Sequence, residues 1–181
     1  MPLLLPKNLP RYECLIEASK TFPDLDPSAC EAFLYLLRTG NDAIHDCETY
    51  LAGFDISQGR FTVLMLLLDK NKNHPLTRTP AELADLANVT RATITGLVDT
   101  LERDGLVTRE PDPADGRMTA VTLTGKGHSL LHRILPGHFR RMAALMAPLS
   151  DTDRKTLVRL LLTISREASA TRPDAPVAIA S

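Results

Sequence analysis

Two clusters of residues have the types and spacing for contact with a nucleic acid. The first is the run from Thr90 to Arg103. Ile94, Leu97, Val98 and Leu101 stand at i, i+3, i+4 and i+7, the apolar stripe of a helix. At 100° per residue the opposite face carries Ala92, Gly96, Thr100 and Arg103, flanked by Thr93 and Thr95. Glycine inside an exposed helix costs about 1 kcal/mol relative to alanine, so Gly96 needs a purpose. Close approach of the backbone to base edges in a major groove supplies one, with the threonine hydroxyls and methyls as contacts and Arg91 near the phosphates. A core-packing helix with a small outer face is the plainer alternative. The second cluster is Asp115-Gly116-Arg117 in a proline- and glycine-rich turn. Arg117 suits the negative potential of a narrow minor groove, and Asp115 can hold its guanidinium by charge-assisted hydrogen bonds. An ordinary solvated ion pair fits those two residues equally well.

The elements around these clusters are those that would present them. Thr79-Pro80-Ala81-Glu82 joins a capping-box spacing to proline at the first helical position, and Leu83, Leu86 and Ala87 give the short helix that follows its buried face. After Asn88-Val89, Thr90 caps the helix described above, and Gly105 stops it. Two short helices across a tight turn have the form of a helix-turn-helix. Residues 106–110 and 119–124 read as two strands around the Pro111–Met118 turn, a hairpin of the kind called a wing.

Helices flank this lobe on both sides. Residues 1–11 form a loose arm, and Tyr12 to Phe22 a short helix. Asp26 and Pro27 then open a long amphipathic one on which Phe33, Leu37, Ile44, Cys47 and Leu51 recur. Ser57 caps a further helix with Phe61, Leu64, Met65 and Leu68 on its apolar face, and residues 71–75 read as a loop. After Thr124 comes a helix with Leu130, Leu131, Ile134 and Leu135, kinked or broken at Pro136-Gly137 and resumed by Met142, Leu145 and Met146. Ser150 and Asp153 start a last helix bearing Leu157, Leu160, Leu161 and Ile164. The expected fold is mainly α with a small β-hairpin wing: arm and short helix at 1–26, dimerisation helix at 27–56, winged helix-turn-helix lobe at 57–124, C-terminal dimerisation helices at 125–168 and a flexible tail at 169–181. The terminal stripes exceed what the lobe can cover, so a second copy is expected to bury them in a two-fold homodimer.

Composition bounds the function. Of 181 residues, 44% are apolar and 24% charged, the balance of a globular protein. The apolar run 63–68 is far too short to span a membrane, and no signal peptide or anchor is read. Three cysteines without C-x-x-C spacing argue against a disulfide framework or a zinc knuckle, and for a cytoplasmic setting. A net charge of −1 is unusual for a nucleic-acid binder. What matters is the local distribution, and a basic ridge of Arg91, Arg103, Arg109 and Arg117 is compatible with an acidic surface elsewhere. There is no Gly-rich phosphate loop, metal-ligand cluster or nucleophile-base motif, so no enzyme, cofactor or metal is expected.

The blocks Leu97-Val98-Asp99-Thr100-Leu101-Glu102-Arg103-Asp104-Gly105-Leu106-Val107-Thr108-Arg109, Asp112-Pro113-Ala114-Asp115-Gly116-Arg117 and Leu123-Thr124-Gly125-Lys126-Gly127 together resemble the MarR (multiple antibiotic resistance regulator) family. The resemblance is strongest over residues 79–127 and extends more weakly over about 28–168. It implies a dimeric regulator of transcription, usually a repressor, bound to double-stranded DNA and in many members released by a small, often aromatic or phenolic, effector. It also implies that Arg117 and Asp115 are the wing arginine and its preceding aspartate. Many members carry basic residues where this chain has Ala114 and Gly116.

A ligand lodged where the lobe joins the dimer helices would change the spacing of the two recognition helices. Tyr35, Arg38, His45, Arg60, Phe61 and Met65 are candidate pocket residues by type and position. Two other switches are weighed. Cys14 resembles in position the cysteine of peroxide-sensing relatives, although its neighbours match poorly and an inert thiol is commoner. His128 and His132 stand at i and i+4, with His138 beyond, a spacing that holds a metal on some helices and is merely solvated on most. The competing function class is a winged-helix protein-interaction module that never touches DNA.

Overall fold

The computed structural model describes residues 6, 8–68, 76–111 and 119–170. The fold is mainly helical with a two-stranded antiparallel hairpin. Its elements are α1 (Tyr12–Thr21), α2 (Pro27–Ala52), α3 (Gln58–Leu66), α4 (Pro80–Ala87), α5 (Arg91–Arg103), β1 (Val107–Pro111), β2 (Thr119–Leu123), α6 (Gly125–Met146) and α7 (Asp151–Ala170). Two compact units meet in sequence at Leu135 and Pro136.

Local chemistry sets these boundaries. Asp26 accepts from the N–H groups of Ser28 and Ala29 ahead of Pro27, satisfying donors that the first turn of α2 cannot. Ser57 caps α3. Thr79 and Glu82 form a reciprocal capping box on α4. Thr90 accepts from the Thr93 N–H at 3.2 Å to start α5, and Gly105, with φ +70°, ends it in a conformation that glycine adopts without strain. Ser150 and Asp153 cap α7 reciprocally, at 3.2 and 3.3 Å.

In the first unit, Leu51, Val63, Leu64, Leu67, Leu83, Ile94, Val98, Leu101, Val107, Val121, Leu131 and Ile134 are almost wholly buried. The core therefore joins α2, α3, the helix pair α4–α5, the hairpin and the first turns of α6. β1 and β2 pair from Val107↔Leu123 to Pro111↔Thr119. Arg78 adds a short third rung, exchanging backbone hydrogen bonds with Val121 at 3.1 and 2.8 Å. Gly127 packs so closely that a Cβ there would sit 2.2 Å from the Leu106 carbonyl oxygen. This contact, with Thr124 Oγ1 donating to the Gly105 carbonyl at 2.8 Å, fixes the start of α6 against the turn after α5.

In the second unit, the described part of α7 carries no buried side chain. Val158, Leu160, Leu161, Leu162 and Ile164 are all exposed, as are Phe139, Met142 and Leu145 on the last turns of α6.

Three expectations are corrected. Leu86 is half exposed, at 51%, because α4 buries Leu83, Ala84 and Ala87, and position 86 lies about 105° from the centre of that face. Of the kink or break expected at Pro136-Gly137, the structure excludes the break. The helix runs on to Met146 because the proline removes one internal hydrogen bond while the turns on either side keep theirs. Residues 169 and 170, expected in the tail, belong to α7, and 171–181 lie outside the described residues.

Candidate nucleic-acid interface

Helix α5 turns Ile94, Val98 and Leu101 into the core, with Leu97 partly buried beside them. The opposite side faces out: Thr90, Arg91, Ala92, Thr93, Thr95, Gly96 and Arg103 are exposed and Thr100 is half-buried. A Cβ added at Gly96 meets nothing within 4 Å, so no described part of the chain covers that point. Thr93 and Thr90 share a hydroxyl–hydroxyl hydrogen bond at 2.9 Å, while Thr95 and Thr100 donate back to the carbonyls of Arg91 and Leu97. These bonds orient the threonine side chains while leaving hydroxyl lone pairs available. The strip is small, polar and basic at both ends, the surface that a groove of about 12 Å width can admit.

Arg109, expected in the basic ridge, is instead turned back onto α5. Its Nη2 lies 2.5 Å from Asp99 Oδ1, its Nη1 bonds to Glu102, and its backbone N–H donates to Glu102 Oε1 at 3.2 Å. Partial burial pulls the guanidinium pKa down, yet the hydrogen bonds and charges of Asp99 and Glu102 together hold it above the ordinary arginine value. Strand β1 is thereby strapped to α5, and the charge of the two carboxylates is partly offset by the guanidinium. Sequence reading missed this bracket. The signal was present, because Arg109 can reach both carboxylates only if β1 returns along α5. Of the basic residues left, the Arg103 side chain is 75% exposed and 4.0 Å from Asp104, and Arg91 is exposed. Asp115, Gly116 and Arg117 lie outside the described residues.

The six candidate effector residues do not converge. Tyr35 and His45 are exposed on α2, Arg38 donates to the Pro6 carbonyl, Phe61 belongs to the core and Met65 packs against it. Arg60 alone of the six lines a cavity of about 420 Å³, shared with Phe54, Asp55, Asp104, Leu106, Lys126, Ser129, Leu130 and Arg133. Sequence reading missed the rest of that wall because it is assembled from three separated segments. Cys14 is exposed and unpaired as a thiol, and Cys30 and Cys47 are half-buried. Among the described residues no three His, Cys, Asp or Glu side chains gather as a metal site, so His128 and His132 lack a third ligand there.

The model of the MarR family matches residues 56–119, the segment from just before α3 to the first residue of β2. The HTH-type transcriptional repressor YetL of Bacillus subtilis is 41% identical over 155 residues, which cover 86% of this chain and 91% of YetL. The chain belongs to the MarR family. It is accordingly a transcriptional regulator with a winged-helix lobe, and not an enzyme. Solved MarR-type structures share its fold. The Staphylococcus aureus MepR–DNA complex matches with a TM-score of 0.66 at 19% identity, over 75% of this chain and 94% of MepR. Bordetella bronchiseptica BpsR, whose DNA binding is regulated by 6-hydroxynicotinic acid, matches with a TM-score of 0.60 at 23% identity, over 72% of this chain and 91% of BpsR. Among the described residues no helix of this MarR-family chain is long and apolar enough to cross a membrane.

Proposed function

We propose that this protein is a repressor that binds a palindromic operator in duplex DNA as a homodimer and leaves it when a small effector binds. The observation that carries the DNA reading is the open strip of α5. An exposed helix keeps a glycine at its centre, with small side chains around it and an arginine at either end. Thr90, Arg91, Ala92, Thr93, Thr95, Gly96, Thr100 and Arg103 read the major groove, while Asp115, Gly116 and Arg117 form the wing contact. The name of YetL supports repression.

The apolar side chains that α2, α6 and α7 leave exposed support the dimer. Five large aliphatic residues on α7 alone stand in solvent. Burying one such side chain is worth roughly 1.5–3 kcal/mol, so a second copy covering these faces gains substantially. Two-fold symmetry then sets the recognition helices about 34 Å apart, in successive major grooves. Such a protein works in the cytoplasm, where the DNA is.

The test is selection of duplexes from a random pool, followed by titration at fixed salt. Wild type is expected to enrich a palindrome. Gly96→Phe should lose at least 100-fold in affinity while its melting temperature and oligomeric state hold, because a bulky ring stops the backbone short of the bases. Arg117→Ala should weaken binding and lower the salt dependence by about one ion. Failure of wild type to bind any duplex at low salt would instead identify a protein-interaction module.

A further inference from the structure

We propose that the gap at Gly96 seats the 5-methyl group of a thymine, walled by Ala92 and Thr95, and that Thr95 meets the operator through its methyl group and not its hydroxyl. The inference rests on the DNA reading above and names the base-pair chemistry that α5 selects.

Ala92, Thr95, Gly96 and Asp99 stand at i, i+3, i+4 and i+7, so they share one face of α5, and all four are exposed. A helix that reads bases by donating hydrogen bonds needs free N–H or O–H groups on such a face. These side chains have none to offer. A threonine hydroxyl has one proton to give. Thr95 Oγ1 donates its proton to the Arg91 carbonyl at 2.9 Å, and Thr100, one turn beyond Gly96, donates its own to the Leu97 carbonyl at 2.8 Å. Ala92 and Gly96 carry no polar side-chain atom. The Asp99 carboxylate only accepts, and Arg109 Nη2 already lies 2.5 Å from its Oδ1. With the Thr95 hydroxyl turned back along the helix, the branched Cβ leaves the methyl as the group that faces a partner. Donors are confined to the two ends of the strip, Arg91 and the bonded Thr90–Thr93 pair at one and Arg103 at the other.

A surface of methyl groups and oxygen lone pairs discriminates between base pairs. The guanine of a G·C pair turns two acceptors, N7 and O6, into the major groove, and both would be desolvated here without a donor. An A·T pair presents an amino donor for the lone pairs and the one apolar group found on any base edge, the thymine methyl. The gap has room for that group, because a Cβ at Gly96 would meet nothing within 4 Å. Ala92 lies one turn back on the same face, and Cβ positions so related are about 5–6 Å apart, so a methyl group seated at Gly96 also touches Ala92.

The experiment uses the full chain and the duplex selected from the random pool, with each thymine replaced in turn by uracil, which pairs identically and lacks the methyl. At one position per half-site, wild type is expected to lose about fourfold in affinity, and about fifteenfold when both halves are changed, the worth of one buried methyl group at each contact. Thr95→Ser deletes the methyl and keeps the hydroxyl, and should bind the thymine and uracil duplexes alike. Thr95→Val keeps the methyl and deletes the hydroxyl, and should still favour thymine. Gly96→Ala fills the seat, so uracil at that position should relieve its weakened binding at least twofold, a rescue that a folding defect cannot produce. A duplex bound without any uracil-sensitive position overturns the inference and leaves the DNA reading intact. Discrimination kept by Thr95→Ser, or lost by Thr95→Val, overturns the role of the Thr95 methyl. Gly96→Ala weakened equally on both duplexes overturns the seat. Failure of the DNA reading shows separately, as no binding of wild type to any duplex, and the inference falls with it.

Discussion

Helices α5 and α7 are both amphipathic, yet they leave opposite kinds of surface in solvent. In α5 three aliphatic side chains are wholly buried, and what is exposed is Ala92, Thr93, Thr95, Gly96, Asp99 and two arginines. In α7 no described side chain is buried, and five large aliphatic residues stand outside. The first helix has its core partners within the chain and offers a small polar strip. The second has an apolar face that its own unit does not cover, the usual sign of an interaction surface. The two are therefore read as facing different partners, a polar groove for α5 and a copy of the same chain for α7.

The sharpest way to break this contrast is to charge the α7 face. Leu160→Asp with Ile164→Asp puts two carboxylates one turn apart on that face. Sedimentation equilibrium is expected to show monomers at micromolar concentration. DNA affinity should fall roughly 100-fold or more, since two linked sites become one. A double variant that stays dimeric with full affinity would remove α7 from the interface.

The second test moves to the lobe. Gly127→Ala forces a methyl group to within 2.2 Å of the Leu106 carbonyl and 3.1 Å of Leu123 Cδ2. Neither backbone nor core can yield cheaply, and overpacking of this kind costs about 1–3 kcal/mol. Urea unfolding of wild type and variant measures it. An unchanged midpoint would mean that α6 is less tightly bound to the α5–β1 turn than the geometry has it.

The ends of the helices were legible in the sequence where a boundary has a local chemical cause. Asp26-Pro27, Ser57, the Thr79–Glu82 box, Thr90 and Gly105 all act within one turn of their own position, and all act there in the structure. What the sequence concealed is non-local. The Arg78 rung on Val121 involves a single residue and leaves no periodicity. Leu86 was misread because in an eight-residue helix one misplaced position shifts the whole inferred face. At the candidate interface the open strip around Gly96 was legible from helical geometry alone. The Arg60–Asp104 pair joins residues 44 apart, so charge type could not select one partner from several.

Arg109 provides a smaller test on the same boundary between strand and helix. Arg109→Gln removes its side-chain ion pairs with Asp99 and Glu102 and keeps the backbone hydrogen bond to Glu102. With side chains 25%, 58% and 38% exposed, solvent screening limits the stability loss to about 1 kcal/mol or less. The effect on DNA should be larger than that on folding, several-fold in affinity, because two carboxylates become unscreened beside the strip. The sign of any pH dependence is fixed. A guanidinium whose pKa is raised on folding contributes its full stabilisation below the ordinary arginine pKa and loses it only as pH rises above the folded value. The contribution of this pair to folding should therefore not change across neutral pH as far as Arg109 is concerned. A midpoint difference between wild type and Arg109→Gln that varies between pH 6 and 8 would show that another group governs it.

The finest distinction lies in a single methyl group. At Gly96→Ala the added Cβ meets nothing within 4 Å of the free protein, and alanine is the better helix former by about 1 kcal/mol. A purely solvated helix face predicts a more stable protein with unaltered DNA binding. A face that seats its backbone against base edges predicts the same gain in stability together with a several-fold loss of affinity for the selected duplex. Thermal unfolding and DNA titration of one variant thus give two signs. The combination of higher stability with weaker binding arises only if the space beside Gly96 is filled by DNA in the complex. Higher stability with binding intact would leave the glycine without the purpose that its position on α5 demands.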